Sequence, residues 1–117
     1  RFTPAAAGPR SASARLFSDD PDTNPFVVLL SGEGLALPAI VVEQPVGQPL
    51  TPGAASMDFG TVVLNAPPAG RLFTLRNLGT ATLSNLSVQV SGDHADDFEV
   101  LSFRDTPLAP GESATFN

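Results

Sequence analysis

The chain has no cysteine, no lysine, no tryptophan and no tyrosine, and a single histidine and a single methionine among 117 residues. Without cysteine there is no disulfide, no thiolate nucleophile and no cysteine-ligated zinc. Without lysine, six arginines face 12 acids and the net charge is −6. A surface of that sign does not track phosphates, so nucleic acid is not expected as a partner. The missing Trp and Tyr are the rings, apolar in body and polar at the tip, that suit half-wet sugar-binding sites. The longest uncharged apolar stretches, Gly34–Val42 and Phe26–Gly32, fall well short of the roughly 20 residues that span a bilayer. No membrane insertion is expected within this chain. Arg1-Phe2-Thr3-Pro4 is unlike a signal peptide; if the protein is exported, its signal lies outside this stretch.

What is present is a folding composition. Apolar residues make up 42% and charged residues 15%, which argues against wholesale disorder. Twelve Pro and ten Gly are too many for a helical protein and suit short strands joined by tight turns. The organising stretch runs from Met57 to Val90 as three strands: Ser56–Leu64, Arg71–Asn77 and Leu83–Val90. Phe73 and Leu75 alternate with Thr74 and Arg76, and Leu86, Val88 and Val90 alternate with Ser87 and Gln89. That period of two predicts one buried and one wet face. Ala66–Gly70 and Asn77-Leu78-Gly79 break the runs.

The rest of the chain reads the same way. Ser13–Ser18 and Phe26–Ser31 predict a hairpin across the polar turn Asp19–Pro25. Phe26–Leu30 is apolar throughout, which predicts burial on both faces. Ala39–Glu43 is a further strand, and Gln44–Gly53, with three prolines, is a loop. Phe98–Leu101 is a short strand. Pro110-Gly111 has the order that a type II turn prefers, and Ser113–Asn117 begins a last strand.

Taken together, certain residues and their order resemble a known family. They are Asp58-Phe59-Gly60-x-Val62, Phe73-Thr74-Leu75-x-Asn77-x-Gly79-Thr80-Ala81-x-Leu83, Asp97-Phe98, and Leu108-x-Pro110-Gly111-Glu112-Ser113-Ala114-x-Phe116. The likeness is to the bacterial choice-of-anchor D repeat, related to the ASPM-SPD-2-Hydin domains of cilia and centrosomes. Phe2-Thr3-Pro4-x-x-x-Gly8, Asp19-Asp20-x-Asp22-x-Asn24-Pro25-Phe26 and Leu30-Ser31-Gly32-x-Gly34 are similar to the end of that repeat. Pro38–Pro45 and Leu50-x-x-Gly53 are similar to its beginning. The resemblance implies an all-β, immunoglobulin-like sandwich.

The order is rotated, with the end of a repeat preceding its start. Joining Asn117 to Arg1 restores an alternating strand, as in a window cut from a tandem array. Closure into one sandwich is hard to arrange. From Gly34 to Ala39 the chain reaches at most about 17 Å, whereas Phe26–Glu33 as a strand is roughly 27 Å long. Residues 1–34 are therefore expected to be the C-terminal strands of one sandwich and residues 38–117 the N-terminal strands of the next. Leu35–Leu37 would be the hinge. A lone copy would leave strand edges and half a core uncovered, to be covered by identical or homologous neighbouring repeats.

No catalytic residue is expected. Asp19, Asp20, Asp22 and Asn24 supply hard oxygen ligands in one loop and make calcium the one cofactor worth weighing. Their spacing is not that of an EF-hand, and a solvated turn is the simpler account. His94 beside Asp93, Asp96 and Asp97 lacks any accompanying nucleophile. Asp58 and Asp97, each before a Phe, read as strand-end residues bonding nearby backbone. All eight Phe are expected in the core, and Gly32-x-Gly34 ends a strand. The resemblance implies a structural, non-enzymatic repeat of a secreted or cell-surface bacterial stalk, filament or matrix protein. The alternatives are a noncovalent fibre subunit that assembles by strand donation, and an adhesin or carbohydrate-binding module.

Overall fold

The computed structural model describes residues 1–117. Five strands form in chain order: β1 (Gly8–Leu16), β2 (Phe26–Gly34), β3 (Ile40–Glu43), β4 (Phe73–Asn77) and β5 (Ser113–Phe116). One 3-10 turn, Ala95–Asp97, is the only helical element. The protein is all-β. No helix is long and apolar enough to cross a membrane. The chain divides into two compact units, Arg1–Ala36 and Leu37–Asn117.

The first unit is a two-stranded antiparallel sheet, β1 with β2, in continuous register from Gly8↔Gly34 to Leu16↔Phe26. Its connection is closed by the Asn24 amide. Nδ2 donates to the Ser18 carbonyl at 2.6 Å, and Oδ1 accepts from the Ser18 N–H at 3.2 Å. The expectation of burial on both faces for Phe26–Leu30 fails here. Leu29 is 83% exposed, and Phe26, Val27, Val28 and Leu30 are exposed as well. The reason is simple: a two-stranded sheet has no layer of its own to pack on.

The second unit is the antiparallel sheet β3-β4-β5, with β4 central. The registers Val42↔Leu75 and Leu75↔Ala114 align these three residues across the sheet. Leu75 packs with Leu86 and Leu108 as the buried core, and Val42, Leu83, Phe103 and Ala114 lean against it. The opposite face of β4 is not wet as its alternation predicts, because Thr74 is 6% exposed. Glu112 N–H donates to Ala109 O at 3.0 Å with Gly111 at φ 83°. That is the type II turn that Pro110-Gly111 predicts, and it delivers the chain into β5.

Three expected strands do not form ladders. Ser56–Leu64 has no strand partner. Leu83–Val90 pairs only through the bridge Leu83↔Leu108. Phe98–Leu101 is held at one residue, where Leu101 and Asn117 exchange N–H···O bonds of 2.7 and 2.9 Å. Alternation marks a segment that wants a sheet, but a ladder also needs an edge at hydrogen-bonding distance. Nor are the phenylalanines a core. None of the eight is fully buried, and Phe2, Phe17, Phe26 and Phe98 are more than half exposed.

Candidate functional site

At one end of the sheet, polar groups tie the second unit together. Asn77, the last residue of β4, is wholly buried. Its Nδ2 donates to the carbonyls of Ala81 (2.8 Å) and Leu108 (2.9 Å). Its Oδ1 accepts from the N–H of Gly79 (2.9 Å) and Ala39 (3.2 Å). Every donor and acceptor of the amide is thus satisfied. One side chain fastens the start of the unit, the turn after β4 and the segment before β5. Gly79 is required in that turn because a Cβ there would run into the Leu37 carbonyl and the Ala39 nitrogen. From sequence, Asn77 reads only as a strand break. The signal that points further is its place in Asn77-x-Gly79-Thr80-Ala81, where a side-chain amide can bond the backbone of its own turn.

On the other face of the sheet Glu43 is opposite Thr74, and reaches diagonally to Arg76. The pair is Nε to Oε1 at 3.2 Å, and Glu43 is buried. Its carboxyl is held below the ordinary 4.5, first by the Gly47 N–H donated to Oε2 at 2.8 Å, then by the Arg76 guanidinium. With the folded value lowered, this stabilisation is present above 4.5 and is lost as pH falls through the folded value. Wild type should therefore lose stability below about pH 4.5 more steeply than Glu43→Gln. Urea midpoints at pH 7 and pH 3 check this; equal slopes for the two proteins would reject it. The pair links β3 to β4 across the sheet.

At the opposite end of the core face, the register Phe73↔Phe116 brings two rings into a stack, centroids 5.1 Å apart. Phe59 and Phe98 meet edge-on at 5.7 Å, and the Arg71 guanidinium lies 5.6 Å from the centre of the Phe59 ring. Asp58 Oδ1 accepts from Gly60 N–H at 2.7 Å, which shapes the turn that presents Phe59. These four rings, with Val62 and Leu101, line an open groove of about 710 Å³ whose lip carries Asp96, Asp97 and Glu99. Leu75 is covered and Phe73 is only half-covered, so the sheet's inner face runs from a closed core into an open trough.

The first unit also has an apolar face. By the pleat and the β1–β2 register, Phe26, Val28 and Leu30 share a face with Leu16, Ala14 and Ala12. Arg10 is the one charged strand residue on that face.

Of the loop residues weighed for calcium, two have side chains bonded within the loop. Asp20 Oδ1 accepts from Asp22 N–H at 3.0 Å, and Asn24 closes the hairpin connection. His94 precedes the 3-10 turn and makes no side-chain capping bond. No three His, Asp or Glu side chains come together as metal ligands. No protein-family model, no curated protein and no solved structure matches this chain.

Proposed function

We propose that this chain is a structural, non-enzymatic building unit whose two halves are completed by neighbouring copies into immunoglobulin-like β-sandwiches. The observation that carries the reading is uncovered apolar surface in both units. Twenty-one large hydrophobic residues are exposed, among them the whole run Phe26–Leu30. Patches of that extent mark surfaces meant to be covered. The two exposed edges of a long hairpin and the half-open sheet face are the kinds of surface that strand sharing uses.

The same reading places the protein outside the cell or at the cell surface of a bacterium, as part of a stalk, filament or matrix. That placement rests on the resemblance of Asp58–Val62, Phe73–Leu83 and Leu108–Phe116 to choice-of-anchor D repeats. Neighbours are either covalently continuous or separate subunits. In material from the native source, heating in denaturing detergent distinguishes them: one very large species means an array, and a ladder at one-repeat spacing means subunits.

For the chain itself, the expected outcome is concentration-dependent association in analytical ultracentrifugation. Dye-accessible apolar surface should fall as the larger species form. A monomer at every concentration, with undiminished dye binding, would reject strand sharing.

A further inference from the structure

We infer that the trough lined by Phe59, Phe73, Phe98 and Phe116 is the receptor for the Leu16–Phe26 hairpin face of a second copy. This assignment rests on the strand-sharing reading above and names which surface meets which. Shape comes first. The β3-β4-β5 sheet has its inner face covered at Leu75 by Leu86 and Leu108, and open at Phe73 and Phe116. What such a face needs is a second apolar layer about 10 Å away. The apolar stretch of the hairpin face, Phe26, Val28 and Leu30 with Leu16, Ala14 and Ala12, is such a layer, two strands wide and roughly 17 Å long.

Charge gives the orientation. The trough's lip carries Asp96, Asp97 and Glu99, offset within the trough only by Arg71. At the end of the hairpin away from its acidic connection Asp19–Asp22, Arg10 is the one charged strand residue of the docking face; its guanidinium donates to the Ala6 and Ala7 carbonyls, and Arg1 and Phe2 line the same hollow. Docked with Arg10 at the lip, the hairpin sets opposite charges together and keeps its own acids clear of the trough. The reverse placement would crowd six carboxylates, a repulsion that specific interfaces avoid.

In a head-to-tail series each chain contributes one hairpin and one trough. Because the two docking surfaces differ, the contact is heterologous and can propagate into a fibre.

Two full-length variants test this. Val28→Asp spoils the hairpin face and leaves the trough intact; Phe98→Asp does the converse. Both side chains are exposed, at 39% and 52%, so each variant should keep the wild-type far-UV circular dichroism. Leu30→Asp and Val62→Asp serve as a second pair if either fails to. Wild type should associate as concentration rises, each variant alone should stay monomeric, and an equimolar mixture should form a 1:1 complex and nothing larger. In that mixture Arg10→Glu, added to the Phe98→Asp chain, should weaken the complex on the order of tenfold, and Glu99→Arg on the Val28→Asp chain should restore it. Self-association of Phe98→Asp would mean that hairpins cover something other than the trough. Self-association of Val28→Asp would mean that troughs pair without hairpins. A mixture that stays monomeric beside an associating wild type would likewise overturn the assignment while sparing strand sharing. A wild type that never associates defeats both.

Discussion

Asn77→Asp should unfold the Leu37–Asn117 unit or leave it barely folded at neutral pH. The amide donates from Nδ2 to the carbonyls of Ala81 and Leu108 while Oδ1 accepts two backbone N–H groups. A carboxylate keeps the accepting half and turns the donating half into a buried anion against two carbonyl oxygens. Losing such a partner inside a protein costs about 3–5 kcal/mol. That is a large share of what a domain has in reserve. Burial beside two acceptors disfavours the charged form, so the carboxyl of the variant should titrate above the usual range. A raised folded value means the variant regains stability as pH falls. Urea denaturation at pH 8 and at pH 5.5, both above the window in which Glu43 titrates, reads this out. The Asp variant should be much weaker than wild type at pH 8 and closer to it at pH 5.5. Asn77→Ala, which orphans the same backbone groups without adding charge, should be destabilised with no such pH dependence. A wild-type midpoint for the Asp variant would show that Asn77 is not the fastening point.

Leu75→Ala should cost about 2–5 kcal/mol, the range for removing a buried leucine and leaving a cavity. Position matters more than residue type here. Leu75 is 5% exposed at the centre of β4, and its cluster holds only two other buried apolar side chains, Leu86 and Leu108. Val42, Leu83, Phe103 and Ala114 lean against the cluster from partly exposed positions and can fill the space only in part. Leu64→Ala, at a site 89% exposed, should stay within about 0.5 kcal/mol of wild type. Thermal or urea midpoints of the two variants give the comparison. Equal losses would mean that the core lies elsewhere. Neither effect requires a neighbouring copy, which separates these tests from those of assembly.

Much of the fold can be read from the residues alone. Alternation at Phe73–Asn77 marks β4, the apolar run at Phe26–Leu30 marks β2, and Pro110-Gly111 marks the turn into β5, each through short-range geometry. The fastening at Asn77 is harder to see, because its four partners come from Ala39, Gly79, Ala81 and Leu108. Sequence distance hides such a set until the backbone brings it together. The Glu43–Arg76 pair is hidden for the same reason, since it depends on the β3–β4 register.

The candidate site divides likewise. That Phe73 and Phe116 are apolar strand residues is plain from their neighbours, and Phe59 and Phe98 read as strand residues too although their segments form no ladder. That they line an open trough is not. Leu86 and Leu108 cover Leu75 but do not extend over the Phe73–Phe116 pair. A pattern of apolar residues states a demand for burial and does not name what meets it.

By itself, then, the sequence determined an all-β chain, its turns, its negative charge and the residues that prefer to be out of water. Those follow from backbone preference and from transfer of apolar groups, which are local properties. Only the tertiary structure decided which of those residues are covered and which are left exposed. Coverage depends on a second layer arriving at packing distance, and that is a property of the assembled surfaces.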